Sequence, residues 1–529
     1  MSRYDEDNRP IAMRSLTTFA CALFLAPALV AQPDYRFSKA SPGTLGLPLS
    51  FHFSGAPPGK NLVFMMSMTG GPTPLSLISP GDNRVIEVGI ESTPLWFALP
   101  SKLSGWSFGT PNNSSMHAAA VHFQTLTIPG SPFVVDKISN KVVVQMGSSG
   151  NSSMLASKLA VARSFARPIS YTQSSGKLSV LLAGGGSGSI ISARGLNSTE
   201  IYDADTMTIR KGPMLNAHRA LGVAVVLRDG RVLLSGGVDN VGGGVNTCEV
   251  WDPKTGRFTP TGSMSVARIA HGGCQLPDGT VLVSGGTTTF SNPVLTLANA
   301  QNSCEIWNPK TGNWSVTGSM RARRLAHGLD ALQTGDSIAT GGFEVRPILN
   351  FPTPIGSVKT CELYNFATRK WSSAASMKTA RAVHLWNNVQ LRDGRMIVTG
   401  GLISGPLIVN GTPLAAAEIY DPRANSWTSL PNMPAASALH SATVVSYGNP
   451  PLDKLILAGG AVGLPTSPVP IDTVQELDLA TLKWRLLPRL KTTRGGHSSV
   501  LTPNGLLLLF GGQGGLQGQS LDTVEALRF

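Results

Sequence analysis

Short apolar runs separated by glycine-containing turns recur along most of the chain. The stretch from Arg268 to Met320 shows the pattern most clearly, because four extended runs can be separated in it. Two of its connections are tight turns rich in Pro, Asp and Gly, and glycine accepts the positive φ that such hairpin turns require. The stretch therefore predicts a four-stranded antiparallel sheet of about 50 residues, which is too small to bury both of its faces alone.

The same pattern repeats along the chain with a period of about 50 residues. In each copy a Gly-Gly pair closes an apolar run, a glutamate follows, and most copies have an aromatic residue two positions after that glutamate. The pairs begin at Gly184, Gly236, Gly285, Gly341, Gly400, Gly459 and Gly511. The glutamates are Glu200, Glu249, Glu305, Glu362, Glu418, Glu476 and Glu525. The copies predict similar sheets that cover one another's apolar faces.

The double glycine, the aromatic residue after the glutamate and the Trp or Phe that opens the fourth strand together resemble the Kelch repeat. The resemblance covers residues 152–529 and implies a seven-bladed β-propeller, a fold that by itself does not define one activity. The last copy lacks a fourth strand, whereas residues 152–159 align with the fourth strands of the other copies. Because an unpaired sheet edge is costly, we expect residues 152–159 to complete the seventh blade.

The region before the repeats divides into two parts. Residues 1–31 contain an apolar run from Leu16 to Ala31, which Arg14 precedes and small residues end, a pattern typical of a secretory signal peptide. The run is too short for a membrane-spanning helix, for which about 20 residues are needed. We expect export to the periplasm, the cell surface or the medium, without a transmembrane segment after cleavage. The true start (Met1 or Met13) and the cleavage site remain open.

Residues 33–147 alternate apolar and polar positions in several short runs. One such run places Leu47, Leu49, Phe51 and Phe53 on the same face of a strand. Turn residues separate the runs, so the segment predicts a small β-sandwich. The predicted fold is therefore all-β: a small β-sandwich followed by a seven-bladed Kelch-like β-propeller.

The chain carries a formal net charge of +13, which permits acidic partners. The basic residues are scattered, with one short cluster at Arg321–Arg324, and no motif that reads a nucleic-acid groove accompanies them. We therefore expect no nucleic-acid partner. Four cysteines, Cys248, Cys274, Cys304 and Cys361, fall within the repeats, and we expect them to be buried free thiols that act as small apolar side chains.

Charged residues recur at two positions of the repeat. Arginines begin the first strand and glutamates begin the third, so both lie toward the same end of a blade. A buried guanidinium needs a carboxylate or carbonyl groups to offset its desolvation. We expect a structural role, with each arginine bound to a glutamate of its own or a neighbouring blade. The residues concerned are Arg268, Arg324, Arg381, Arg494, Glu249, Glu305, Glu362 and Glu418.

A histidine follows several of these arginines by three positions. Residue types that repeat in blade after blade are first of all packing devices, so we expect these histidines to pack between blades, and we predict no metal site and no cofactor.

Long loops that are apolar and rich in proline join the second and third strands of several repeats. Such loops gathered on one face favour a contact surface, and we select Phe290, Phe343, Arg346 and Phe351 as candidate binding residues. A second interpretation remains open, in which the loops pack on each other or on the sandwich.

The favoured function is an exported Kelch-propeller binding protein that contacts a protein or a glycan through the long-loop face, without catalysis. The alternative is a carbohydrate-active enzyme of the Kelch class, either a sugar epimerase or a copper oxidase similar to galactose oxidase. The oxidase would need tyrosine ligands, and Tyr171 and Tyr447 are the propeller tyrosines that the repeat motif does not use.

Overall fold

A computed structural model describes residues 35–529 except for short internal gaps. The gaps comprise residues 40, 56, 58–59, 78, 80, 90–94, 100–104, 129–134, 174, 189–191, 291–292, 350, 385–387, 407–410, 448–451, 465–466 and 516–518. The predicted signal segment, residues 1–31, lies outside the described residues. Among the described residues, no helix has the length and apolar character needed to cross a bilayer.

The N-terminal region forms two facing sheets. Alternating side chains of both sheets bury an aromatic core that includes Phe37, Phe51, Phe64 and Phe123. The three-stranded sheet has the order Arg36–Lys39, Pro48–Ser54 and Gly105–Gly109. The five-stranded sheet contains Val142–Gln145, Ala120–Ile128, Asn61–Ser67, Leu95–Leu99 and Lys137–Ile138. A hairpin of Gly70–Pro74 and Val85–Val88 and two 3-10 turns, Leu75–Leu77 and Ser114–Met116, complete this part.

The repeats form four-stranded antiparallel sheets, which we number as blades in chain order. Apolar residues on both faces of each sheet are buried against the neighbouring sheets. Blade one has strands Arg167–Thr172, Leu178–Ala183, Thr199–Asp203 and Thr208–Lys211; blade two Val223–Val226, Val232–Ser235, Cys248–Asp252 and Arg257–Thr261; blade three Gly272–Gln275, Val281–Ser284, Cys304–Trp307 and Trp314–Thr317; blade four Gly328–Ala331, Ser337–Thr340, Cys361–Asn365 and Lys370–Ala374. Blade five has Asn388–Gln390, Met396–Thr399, Ala417–Asp421 and Ser426–Leu430; blade six Ser441–Tyr447, Leu452–Ala458, Val474–Asp478 and Trp484–Leu487; blade seven Ser498–Leu501, Leu507–Phe510 and Val524–Leu527, with Ser152–Met154 as its outer strand.

The outer strand of blade seven comes from the beginning of the repeat region. Ser152, Ser153 and Met154 pair antiparallel with Leu527, Ala526 and Glu525. The first and last segments of the repeat region thus share one sheet, and the edge that blade seven would otherwise expose is covered.

A repeated backbone contact joins each blade to the next. The N–H of the second glycine in every Gly-Gly pair donates to the carbonyl oxygen at the arginine position of the following blade, at 2.7–3.1 Å. The last of these bonds runs from Gly512 of blade seven to Arg163 of blade one and closes the circle. The first glycine of the pair has a positive φ, 56° at Gly341, and a Cβ there would lie 2.4 Å from the carbonyl oxygen of Arg381 in the following blade. The double glycine therefore brings two blades into contact where a side chain would keep them apart.

The sandwich packs on blades one and seven through the chain end. Arg528 is buried and donates from Nε to the carbonyl oxygen of Gln145 at 2.9 Å. Thr44 Oγ1 donates to the carbonyl oxygen of Phe529 at 3.2 Å, and Arg36 pairs with Asp205 at 2.7 Å. Asp205 lies in the turn between the third and fourth strands of blade one, so among the described residues these contacts are at the end of the blades opposite the loops that follow the second strands.

Candidate binding face

The loops that join second to third strands form a continuous layer on one face, which we call the crown. Neighbouring loops touch from blade to blade, and several contain a small hairpin or helix of their own. The crown comprises the described residues within the ranges 186–195, 238–244, 287–300, 343–357, 402–413, 461–470 and 513–520. Its elements are Gly186–Ser187 with Arg194–Gly195, helix Pro293–Ala298, Phe343–Ile348 with Phe351–Ser357, Leu402–Ile403 with Thr412–Pro413, Ala461–Leu464 with Ser467–Pro470, and Gln513–Gly514 with Gln519–Ser520.

An apolar plug fills the axis beneath the crown. Each blade supplies one residue two positions after its arginine position, and all of these residues have φ between 51° and 60°. The N–H groups of five of them donate to the equivalent carbonyl oxygen of the preceding blade, as from Val383 to Ala326 at 2.9 Å and from Phe165 to Gly496 at 2.7 Å. The side chains of Leu221, Val383 and Leu439 belong to one buried cluster. The central channel of the propeller is thus closed at this level, so a partner that binds the crown cannot reach through it.

Two of the predicted contact residues belong to this cluster and do not face solvent. Phe290 is 7% exposed and Phe343 is 2% exposed. The prediction that they form a contact surface is corrected, because their loops fold inward and the rings pack above the axis. Arg346 is exposed, with 56% of its side chain accessible. Phe351 begins the second strand of the same hairpin, and its side chain is outside the described part of the structure.

The hairpin of blade four is the largest element of the crown. Its first strand, Phe343–Ile348, pairs with both Arg323–Leu325 and Phe351–Ser357, which makes a three-stranded sheet. Ser357 N–H donates to the carbonyl oxygen of Ser404 in the next loop at 2.9 Å. The base of the hairpin is therefore held from both sides.

Large apolar side chains lie exposed on the outside of the crown. At the tip of the blade-four hairpin, Leu349 is 87% exposed and Ile348 is 49% exposed. The sequence predictions did not single these residues out, although their signal is an apolar pair at the turn of a hairpin. Among the described residues of the crown, the exposed large apolar side chains are those of Val241, Leu295, Ile348, Leu349, Ile403 and Val469.

A basic groove borders the same hairpin. We use this name for the surface formed by Arg321, Arg323 and Arg346 with Glu344 and Ser373. The three arginines are exposed, whereas Glu344 is buried and pairs with Arg346 Nε. The crown thus combines exposed apolar groups with a cationic side.

The repeated arginines and glutamates lie inside the propeller. In six blades the arginine pairs with the glutamate of its own blade at 2.7–2.9 Å, and both side chains are buried. Arg268 also donates to the carbonyl oxygens of Gly285 and Ser303, each at 2.9 Å. Glu305 in turn accepts the N–H of Ser265 at 2.7 Å. The pairs are Arg163–Glu200, Arg219–Glu249, Arg268–Glu305, Arg324–Glu362, Arg381–Glu418 and Arg494–Glu525.

Blade six departs from this pattern, and the predicted repeat glutamate there is wrong. Strand register pairs Leu457 with Gln475, as Val283 pairs with Glu305, so Gln475 occupies the glutamate position and Glu476 is its neighbour. Gln475 accepts the N–H of Ala435 at 2.8 Å, while Glu476 pairs with Arg485. The arginine position of this blade is Ser437. Because a carboxylate there would be buried without a cation, the neutral amide fits the neutral serine.

The repeated histidines pack between blades. His327 Nε2 lies 2.9 Å from Ser284 Oγ of the preceding blade, and His440 Nε2 lies 2.9 Å from Thr399 Oγ1. Burial, with a smaller contribution from neighbouring arginines, lowers the pKa of His384, His440 and His497 to about 3. These rings are uncharged near neutral pH. Among the described residues, no three side chains of His, Cys, Asp or Glu converge as metal ligands would.

The four cysteines are buried free thiols. Cys304 Sγ donates to the carbonyl oxygen of Asn302 at 3.5 Å, and burial raises the pKa of Cys248, Cys274 and Cys304 to about 12. A protonated, buried thiol is a poor nucleophile, so these cysteines serve packing.

On the far side of the plug the axis opens into a polar cavity. Its lining includes Arg167, Asn388 and Thr443. Arg167 donates to the carbonyl oxygen of Gly222 at 2.9 Å, and Asn388 Nδ2 donates to Asp330 at 2.5 Å. Desolvation raises the pKa of Asp330 to about 6. The charged groups at this cavity thus hold partners within the fold.

The tyrosines considered for copper chemistry lie in packing positions. Tyr171 meets the ring of Trp251 edge to face at 4.5 Å. Tyr447 packs against Phe529 at 5.0 Å and bonds Glu476. In these contacts neither tyrosine meets a histidine or a cysteine, and among the described residues neither belongs to a cluster of possible metal ligands.

Comparison with known proteins identifies the repeat. A Kelch motif model matches residues 219–265 and 391–434. Alpha-scruin of Limulus polyphemus is 27% identical over 234 residues, which cover 43% of this chain and 23% of that protein. Kelch domain-containing protein 8B of Mus musculus is 28% identical over 173 residues, or 32% of this chain and 45% of that protein. The chain thus matches less than half the length of these curated relatives.

A solved structure has the same fold. A fungal alcohol oxidase of the AA5 family, in complex with copper, superposes with a TM-score of 0.51 and 17% identity. The match covers 71% of this chain and 75% of the oxidase. At this identity the likeness concerns the fold alone.

Proposed function

We propose, from the premise that this chain is a Kelch-repeat β-propeller protein, that it is a protein-binding module whose partner docks on the crown. Among the described residues the sandwich contacts the propeller at the end opposite the crown. The crown loops differ from blade to blade, while the sheets beneath them repeat. A rigid scaffold that carries variable loops is a common arrangement for recognition.

The observation that carries the proposal is the apolar tip of the blade-four hairpin. Leu349 and Ile348 expose apolar surface that the described residues of the neighbouring loops do not cover, and their hairpin is anchored at its base by the Ser357–Ser404 bond. Exposed apolar groups on a well-anchored element favour docking, because the partner gains buried area at a small cost in ordering. The expected partner is a protein with a complementary apolar pocket.

We also propose that the protein acts outside the cytoplasm, after removal of the segment that ends near Ala31. The support is the apolar run of the N-terminal sequence. N-terminal sequencing of the mature protein tests it: a first residue close to Gln32 is expected, whereas an intact Met1 or Met13 would contradict export through this segment.

Affinity capture tests the binding proposal. Immobilised wild-type protein and an Ile348→Asp/Leu349→Asp variant are incubated with envelope and extracellular extracts of the producing cells, and each retained protein is then purified and titrated. We expect at least a tenfold loss of affinity in the variant, because a charge in an apolar contact costs more than 1.4 kcal/mol.

The control is Val316→Asp/Leu486→Asp, which places the same charges on exposed outer strands of blades three and six. This control variant keeps its affinity if the crown is the docking face. Retained binding by the crown variant would contradict the proposal. Capture that survives protease treatment of the extract but not glycosidase treatment would instead identify a glycan ligand.

A further inference from the structure

The basic groove beside the blade-four hairpin has more cations than internal anions. Four guanidinium groups line it, on Arg321, Arg323, Arg324 and Arg346, against the carboxylates of Glu344 and Glu362. Four positive and two negative charges leave a net +2. Both carboxylates are buried and already bound, since Glu362 pairs with Arg324 at 2.7 Å and Glu344 pairs with Arg346.

Among the described residues, Arg321 and Arg323 have no carboxylate side chain as an ion-pair partner. Arg321 donates from Nη1 to the hydroxyl of Ser373 at 2.8 Å, which leaves its charge exposed. For Arg323, which is exposed, the described part of the structure shows no ion pair. Arg346 shares Glu344 but keeps more than half of its side chain in solvent. Guanidinium groups fixed along one groove match the planar, two-oxygen geometry of carboxylates.

The backbone holds these arginines in place. Arg323 lies in a strand that pairs with Val345, and Arg346 lies one residue further along the same hairpin strand. The N–H of Arg321 donates to Glu362 at 2.7 Å. The groove is thus preorganised, and an anion that binds there does not have to order a loop.

We infer that the basic groove recognises carboxylates of an acidic peptide segment whose next apolar side chain rests on Ile348 and Leu349. The inference rests on the proposed protein-binding function and names the chemistry of the partner. Charge complementarity supplies the acidic part, and continuity with the apolar tip on the same strand supplies the neighbouring apolar residue. In such a complex the arginines provide selectivity and the hairpin tip provides buried area.

The test uses a defined probe, so it does not depend on finding the native partner. A fluorescein-labelled peptide of four glutamates followed by two leucines is titrated with the full-length protein, and binding is followed by fluorescence anisotropy at low and at physiological salt. The groove variant is Arg321→Gln/Arg323→Gln, which leaves the buried Arg324–Glu362 and Arg346–Glu344 pairs intact. We expect about a tenfold loss of affinity.

The charge-matched control is Arg210→Gln/Arg228→Gln, which removes two exposed arginines far from the crown. This control is expected to bind the probe within about twofold of wild type. A second variant, Arg321→Lys/Arg323→Lys, keeps the charge but loses the two-pronged geometry, and it is expected to lose affinity as well.

Three results would overturn the inference. One is no measurable binding of the probe by the wild type. Another is equal loss in the groove variant and the charge-matched control, which would mean attraction to the net positive charge alone. The third is full affinity of the lysine variant together with equal binding of inorganic polyphosphate. These three results can be distinguished from failure of the proposed function, because that function is tested by the affinity of the native partner for the Ile348→Asp/Leu349→Asp variant.

Discussion

The contacts that repeat within and between the blades, which we call the inner ring, are regular, whereas the loops of the crown are not. In the inner ring the same contacts recur from blade to blade: the double glycine meets the next blade, and the arginine pairs with its glutamate. In the crown the described loop elements differ from blade to blade, from a short helix at Pro293–Ala298 to the hairpin of Phe343–Ile348 and Phe351–Ser357. Repetition in a propeller reports packing, because neighbouring sheets must fit in the same way each time. The crown loops do not have to fit in the same way in every blade, so their sequences can be selected to bind a particular partner.

Blade six shows how far the ring itself can vary. Its arginine position is Ser437 and its glutamate position is Gln475, so one buried ion pair is replaced by two neutral side chains. The double glycine is kept, and Gly460 still donates to Arg494 of blade seven at 2.7 Å. The backbone contact between blades is therefore kept in blade six, whereas neutral side chains replace the buried ion pair there.

The largest effect is expected from breaking one ion pair. Arg324→Ala removes a fully buried guanidinium and leaves Glu362 buried without a cation, which costs about 3–5 kcal/mol. Urea unfolding followed by tryptophan fluorescence measures it. Arg228→Ala, at an exposed turn, is the control and should stay within about 0.5 kcal/mol of wild type. Equal midpoints for the two variants would contradict a structural role for the pair.

A smaller effect is expected from converting blade six to the common pattern. Ser437→Arg alone buries an uncompensated charge and should destabilise by about 2–4 kcal/mol. Adding Gln475→Glu should recover at least about 1 kcal/mol, because the two positions come into contact. The double-mutant cycle in urea measures the coupling. An additive result would mean that Ser437 and Gln475 are not equivalent to the arginine and glutamate of the other blades.

The smallest effect is the pH dependence that each buried histidine adds. The folded pKa of His384, His440 and His497 is about 3, below the unfolded value of about 6.5. Between these values the unfolded chain binds protons that the folded chain does not. The contribution of each histidine to the free energy of unfolding is therefore fully present above about pH 6.5. It decreases as pH falls, by up to about 1.4 kcal/mol per pH unit. Asp330, with its raised pKa of about 6, acts in the opposite direction between about pH 6 and 4.

A variant isolates one histidine. The urea midpoint of His384→Gln at pH 7, 6 and 5 should fall less steeply than that of wild type, whatever its absolute stability. Identical slopes would mean that His384 is protonated in the folded state.

The sequence could predict the ring of blades, but it could not predict which side chains of the crown loops face inward and which face solvent. Repeated glycines, arginines and aromatic residues define the blades, because several copies report the same environment independently. The error at Glu476 arose because Gln475 and Glu476 both fit the spacing, and only strand register separates them. Phe290 and Phe343 were predicted on the surface because loops lack the periodicity that tells which side chains turn inward. Their burial follows from the way neighbouring loops fold over the axis.

Hydrogen exchange at the second glycines measures the closed ring most directly. These amides bond across every blade junction, including that of Gly512 to Arg163, whereas the tip around Leu349 bonds within one hairpin. A closed ring predicts that all second-glycine amides, Gly512 included, exchange only through global unfolding, while tip amides exchange orders of magnitude faster. Exchange at Gly512 as fast as at the tip would show an open seam between the first and last blades and would contradict a ring that supports the crown.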